Sequence, residues 1–364
     1  MTKKKNFAFL AICLFFVAII TSACGGGSKT TPADNSAFYY LLAQQNANND
    51  QPPAPSPTPD PSPTPAPSPT SDPSQTPDPE PTLPTLEVSK SKLSLIVGGS
   101  EDITVTLEGN PLTDGLQYDV EDESVAKVEN GKVTALGKGS TTVTVSLENG
   151  GANSATFTVE NFGEGDYIPF GHYRQKPPQT GDGDDAETWE PQPIEWQILD
   201  IDTVNNRALL LSRYGLDAMC FDSSSKVWAN SEIRSWLKED FYTNAFDETE
   251  QAKIKPVDIV FNNNGTDNYD FAGSTYNVFL LSKAEAEKYF ANADARRCEA
   301  TDYAKKNGAY VDNDNGYSNW WLRSPDPNPN YSNFVYCVSY NGGVGNIIVL
   351  NTSSLVRPAL WINL

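Results

Sequence analysis

The chain has 364 residues, enough for two domains and linkers, and sets 26 lysines and arginines against 47 aspartates and glutamates, a formal net charge of −21. An acidic surface of this size repels nucleic acid and anionic lipid headgroups, so neither is an expected partner. A single histidine, His172, excludes multi-histidine metal sites, and no phosphate-binding loop, dinucleotide fingerprint or serine nucleophile elbow is present.

The N-terminus is basic at Lys3, Lys4 and Lys5, and residues 7–20 are an unbroken apolar run. That run is shorter than the roughly 20 apolar residues of a membrane-spanning helix and suits the core of a signal peptide. It ends in Thr21-Ser22-Ala23-Cys24, which resembles the bacterial lipobox, with Thr21 where leucine is usual. The resemblance implies cleavage before Cys24 and its lipidation. Acyl chains then hold the protein to a bilayer at about 0.8 kcal/mol per buried methylene. Residues 1–23 are read as the signal peptide and 24–50 as a polar tether, with the chain displayed outside the cytoplasm.

Residues 51–84 consist almost entirely of Pro, Ser, Thr, Asp and Ala. Such a segment cannot bury a core, and at about 3.1 Å per residue in polyproline II it reaches on the order of 100 Å. Residues 85–160 then alternate apolar and polar positions in short runs, as half-buried strands do. Gly98-Gly99, Asn110-Pro111, Asn130-Gly131, Gly137-Lys138-Gly139 and Asn149-Gly150-Gly151 supply the turns. This pattern predicts an all-β sandwich. The runs Ser124-Val125-Ala126-Lys127-Val128, Asn130-Gly131-Lys132-Val133-Thr134-Ala135 and Gly139-Ser140-Thr141-Thr142-Val143-Thr144-Val145 resemble the bacterial Ig-like group 2 family, which implies a spacer or stalk.

Residues 165–364 hold all seven tryptophans. Strands are expected at 194–198, 208–212, 278–281, 320–325, 334–338, 347–350 and 355–362. A helix is expected after Ser231, with Ile233, Trp236, Leu237 and Phe241 on one face. Asp247 with Glu250, and Ser282 with Glu285, are capping-box signals for two more, and a last short helix runs over 301–307 before Gly308. Helices first and strands last indicate an α+β domain.

Ile168-Pro169-Phe170-Gly171-His172-Tyr173, Ser231-Glu232-Ile233-Arg234-Ser235-Trp236-Leu237, Trp320-Trp321-Leu322-Arg323-Ser324-Pro325 and Val356-Arg357-Pro358-Ala359-Leu360-Trp361 resemble the DUF6273 group of extracellular bacterial domains. That group is similar in plan to the C-type-lectin-like fold of formylglycine-generating enzymes and retroelement-diversified ligand binders.

Several residues stand out as functional candidates. Tyr331, Phe334, Tyr336, Tyr340, Asn341 and Asn346 lie in a stretch of Tyr, Ser, Gly and Asn, the composition of adaptable binding surfaces. Arg323 and Arg357 sit inside apolar runs, where they either clamp an anion or fix the fold through an internal acid or a tryptophan. The acidic loops at 182–185 and around Asp312 and Asp314 are weak calcium candidates; otherwise no cofactor is expected. Of the five cysteines, Cys13 leaves with the signal and Cys24 is lipidated. Cys220, Cys298 and Cys337 remain and allow one disulfide at most. The expected function is a surface-displayed lipoprotein whose C-terminal domain binds an extracellular ligand, glycan or protein, without catalysis. The alternatives are a membrane-tethered envelope hydrolase and a structural envelope component.

Overall fold

Alternation of buried and exposed side chains shapes the first folded region in the computed structural model, which describes residues 83–177, 189–258 and 275–364. The expected signal peptide, Cys24, residues 51–82 of the proline-rich segment and the 182–185 loop lie outside the described residues. Ten strands run from β1 (Leu86–Val88), β2 (Lys92–Ile96), β3 (Ser100–Asp102), β4 (Val105–Leu107) and β5 (Asn110–Leu112) to β6 (Leu116–Val120), β7 (Ala126–Glu129), β8 (Lys132–Ala135), β9 (Gly139–Leu147) and β10 (Ala155–Phe162). They form three sheets, ordered β2-β10-β9-β6, β3-β8-β7 and β1-β4-β5. In β9 and β10, Val143, Val145, Phe157 and Val159 point into a core shared with Leu93, Val105 and Val133, while intervening threonines face outward. Asn130 and Gly131 both have positive φ, 51° and 79°, and form the two-residue turn between β7 and β8. This is an Ig-like sandwich.

The second core belongs to an α+β region. It opens with strands: β11 (Tyr167–Arg174), β12 (Pro191–Asp202) and β13 (Arg207–Ser212), then the short β14 (Asp217–Ala218). Its helical middle contains α1 (Glu232–Trp236), α2 (Tyr242–Ala245) and α3 (Glu248–Lys253), the paired β15 (Val257–Asp258) and β16 (Thr275–Tyr276), and α4 (Lys283–Tyr289), α5 (Ala293–Arg296) and α6 (Asp302–Lys306). It closes with β17 (Trp320–Pro325), β18 (Phe334–Val338), β19 (Val344–Ile348), β20 (Leu355–Val356) and β21 (Ala359–Asn363).

Local signals hold well in the helices. Ser231 Oγ accepts from Arg234 N, and Asp247–Glu250 and Ser282–Glu285 both form reciprocal capping boxes. A π-turn over Leu237–Phe241 joins α1 to α2, so Ile233, Leu237, Phe241 and Ala245 form one buried stripe. Trp236 is only partly buried against it.

Two sheets carry the region, β11-β12-β13-β21 and β14-β20-β17-β18-β19. Two expected strands need correction. Residues 278–281 are buried without being a strand; Phe279 alone bridges to Ala359. Residues 355–362 are two strands, because β20 lies in the five-stranded sheet and β21 in the four-stranded one. Arg357-Pro358 is the crossing between sheets. Proline has no N–H to give to a ladder, which favours a break there. The tryptophans are mainly structural. Trp196, Trp320 and Trp321 are fully buried, and their indole N–H groups donate to Phe170 O (2.6 Å), Arg296 O (3.0 Å) and Met219 O (2.8 Å).

Candidate functional site

The six tyrosine, phenylalanine and asparagine candidates fall into two groups. Phe334 stands opposite Ile348, and Tyr336 opposite Asn346, on the half-buried outer face of the β18–β19 hairpin. Tyr331 joins them, its ring 5.1 Å from that of Phe334. Asn346 is engaged, its Nδ2 donating to the buried Asp326. Tyr340 and Asn341 lie at the other end of the hairpin, in the turn between the strands. There Tyr340 N donates to Asn319 Oδ1 at 2.8 Å, and Asn341 Oδ1 caps Gly343 N at 2.9 Å. The six thus occupy the outer face of the hairpin and its turn.

Tyr340 instead neighbours Tyr310, 6.2 Å between rings, beside the 312–316 loop. Asp312 Oδ1 accepts from Asn315 N at 3.2 Å, and its Oδ2 from the Tyr310 hydroxyl at 3.4 Å. Asp314 is exposed. Among the described residues no cluster of three His, Cys, Asp or Glu side chains is placed to hold a metal.

The two arginines inside apolar runs have separate fates. Arg323, on β17, forks onto Glu285 with Nη2–Oε1 at 3.1 Å, and its Nη1 also donates to Leu280 O at 2.7 Å. Burial pushes the Glu285 carboxyl up, but the Arg323 guanidinium and the Ser282 hydrogen bonds outweigh it and hold the group below the usual range. Arg323 fixes α4 to β17.

Arg357 has no such acid among the described residues. At the crossing between β20 and β21 it is 3% exposed, with Nε donating to Ser212 O at 2.9 Å and the guanidinium 4.9 Å from the Trp320 ring centre. Its Nη1 is buried without a hydrogen-bond partner among the described residues. It lines an open cleft of about 400 Å³. Tyr167 of β11, Arg213 and Tyr214 after β13, Tyr289 at the end of α4, Arg297 after α5 and Tyr317 complete most of the wall. Arg213 stacks between Tyr167 and Tyr214, 5.0 and 5.1 Å from their ring centres. The Tyr289 hydroxyl donates to Asp200 at 2.8 Å, and burial raises its pKa to about 12. With the carboxylates of Asp294 and Glu299, these side chains offer charged forks, flat rings and hydroxyls, a set suited to binding.

Groups for nucleophilic chemistry are muted. Cys220, Cys298 and Cys337 are buried thiols outside any disulfide. Burial raises Cys298 and pushes Cys337 up to about 12, which disfavours the reactive thiolate. His172 is exposed on β11. Asp217 is buried and its pKa raised by that burial, but it is tied to Tyr173 and Asn307 at 2.8 and 2.7 Å as an internal network.

No curated protein matches the chain. Among solved structures, an intimin–Tir90 complex is similar at 15% identity, covering 29% of this chain and 68% of that one, with a TM-score of 0.17. An intimin mutant from EHEC O157:H7 is similar at 12% identity, covering 35% and 85%, with a TM-score of 0.18. Protocadherin gamma B7 extracellular cadherin domains 1–4 are similar at 10% identity, covering 36% and 32%, with a TM-score of 0.18. A family described as the hyaluronate lyase N-terminal beta-sheet domain matches residues 113–155, within the sandwich. The domain of unknown function DUF6273 matches residues 205–364. The strands before residue 205 complete the same structure, since β12 pairs with β13 and β11 with β12. The chain thus joins an Ig-like β-sandwich to a C-terminal domain that matches the DUF6273 family.

Proposed function

We propose that this chain is a bacterial lipoprotein, anchored outside the cytoplasm through Cys24, that presents its C-terminal domain as a ligand-binding head. The 51–84 segment acts as a spacer and the Ig-like sandwich, of the bacterial group 2 kind, as a stalk. The observation that carries this reading is the cleft around Arg357, which combines aromatic walls with a buried, unanswered cation. Polar and aromatic groups converging on a concavity of this size are the usual form of a small-ligand site, about 300–1,000 Å³.

The full chain, applied to arrays of glycans and extracellular-matrix proteins, is expected to give saturable binding with no change in the ligand. Turnover of a polysaccharide or peptidoglycan would instead identify a hydrolase. Absence of any saturable interaction would leave a structural envelope component.

The anchor has its own test. In cells exporting the chain, Cys24→Ala is expected to abolish lipidation and leave uncleaved precursor or soluble protein. Mass spectrometry showing an unmodified mature N-terminus elsewhere in the wild-type protein would refute the anchor while leaving the head untouched.

A further inference from the structure

Three arginines converge on the cleft, whose lining also includes the exposed carboxylates of Asp294 and Glu299, and the arginines differ in how much of their charge is already answered. Arg213 Nη1 donates to Glu195 Oε2 at 3.0 Å, and Arg297 Nη2 to Asp294 Oδ1 at 2.7 Å. Arg357 makes no ion pair among the described residues, although it is the most buried of the three. A guanidinium stays charged, so burying one without a carboxylate is costly. Stacking on Trp320 and the bond to Ser212 O offset only part of that cost. Arg323 shows how the same fold answers a buried arginine when the role is structural: it supplies Glu285. For Arg357, beneath the cleft, no carboxylate among the described residues forms an ion pair.

The walls narrow the ligand further. Tyr167, Tyr214 and Tyr317 bring flat rings with hydroxyls to the opening. Such residues pack against the C–H face of a ring and hydrogen-bond its substituents. The Arg213 guanidinium lies 5.0 and 5.1 Å from the ring centres of Tyr167 and Tyr214, and Arg297 lies 5.5 Å from that of Tyr317. Both forks are thereby oriented before a ligand arrives, which lowers the ordering cost of binding.

We propose that this cleft binds an oxyanion carried on a sugar ring, a carboxylated or sulfated unit of an acidic glycan. The proposal rests on the binding-head reading and narrows it to one ligand class and one site. The chain's acidity does not oppose it at contact range, because exposed charges are screened beyond about 8 Å at physiological ionic strength. Arg357, under a low-dielectric wall, is screened far less. The acidity slows approach; the cleft sets residence.

The test uses the full chain and length-matched neutral, carboxylated and sulfated oligosaccharides in titration calorimetry. The acidic series is expected to bind saturably, with the neutral parents at least about tenfold weaker, the size of one charge-assisted hydrogen bond. The carboxylated and sulfated arms identify the oxyanion. Arg357→Lys keeps the charge but loses the fork, and Arg297→Gln removes a rim charge at a half-buried position; each is expected to weaken the acidic ligand about tenfold. If Arg357→Lys fails to fold by circular dichroism, Arg297→Gln and Tyr317→Ala carry the test. Equal affinity for neutral sugars, lost on Tyr317→Ala, would overturn the anion assignment and keep a sugar-binding head. Acidic binding lost on Tyr331→Ala but not on Arg297→Gln would move the site to the hairpin face and overturn this one. Binding by none of the oligosaccharides overturns the inference; the array then decides whether the head binds anything.

Discussion

Arg323→Met is expected to destabilise the C-terminal region by about 3 kcal/mol, the low end for breaking a buried ion pair. Methionine keeps most of the volume, so the loss is electrostatic rather than a cavity. Arg323 is 7% exposed on its side chain, whereas Glu285 keeps 30%, and this partial hydration limits the penalty for stranding the carboxylate. The same carboxylate closes the capping box with Ser282, so a tilted Glu285 also loosens α4. All seven tryptophans lie beyond residue 165, so tryptophan fluorescence during urea unfolding follows this region without the sandwich. A shift below about 1 kcal/mol, the scale of an exposed pair, would show that the pair contributes little.

The pH dependence of that loss has a fixed sign. Arg323 holds Glu285 below its ordinary pKa, so its contribution is complete above the ordinary glutamate range. It is lost as pH falls through the lower folded value. Asp217 works the other way: burial raises it, so the folded form binds more protons, and its contribution falls as pH rises from the usual carboxylate range through the higher folded value. Wild type minus Arg323→Met therefore isolates Glu285. The difference between the two is expected to shrink steadily on acidification.

What was legible in the sequence is what is decided within a few residues. Ser231, Asp247, Ser282 and Thr301 all cap the helices they signal, because a side-chain oxygen reaching the third N–H ahead needs no tertiary partner. Asn130-Gly131 forms its hairpin for the same reason. The misread segments are those decided at a distance. Residues 278–281 are apolar enough for a buried strand, yet only Phe279 finds a bridging partner. Residues 355–362 look like one strand because Pro358 signals a break but nothing local says that the two halves join different sheets.

The candidate site divides along the same line. The hairpin stretch stood out by composition, and composition tracks exposure: Tyr331, at 41%, and Asn341 are surface residues. The cleft has no linear signal, since its wall is gathered from Tyr167 through Arg357. One trace is present. Arg323 and Arg357 are both charges inside apolar runs, but Glu285 lies far in sequence from Arg323, and the lack of a counterpart for Arg357 among the described residues is a fact of three dimensions.

Gly342→Ala is expected to be as damaging as the loss of the Arg323 pair, again about 3 kcal/mol, for two reasons that add. Gly342 has φ of 81°, a left-handed conformation that costs a residue with Cβ about 1–2 kcal/mol. A Cβ there would also fall 1.7 Å from Ala293 O, so the turn between β18 and β19 must lift off α5, an overlap worth about 1–3 kcal/mol. Lifting the turn breaks the bond from Arg296 Nε to Gly342 O, 2.9 Å. Gly308→Ala separates the two causes: its φ is 93°, but a Cβ there meets nothing within 4 Å, so it is expected to cost only about 1 kcal/mol. Tryptophan-monitored urea unfolding of both variants gives the comparison. Equal losses would mean that the turn does not press on α5. A larger loss in Gly342→Ala should carry a functional consequence, because Arg296 and Arg297 are adjacent and the latter lines the cleft. The hairpin turn, expected from composition to touch ligand, would then act on binding from behind, by holding α5 and the Arg297 fork in place.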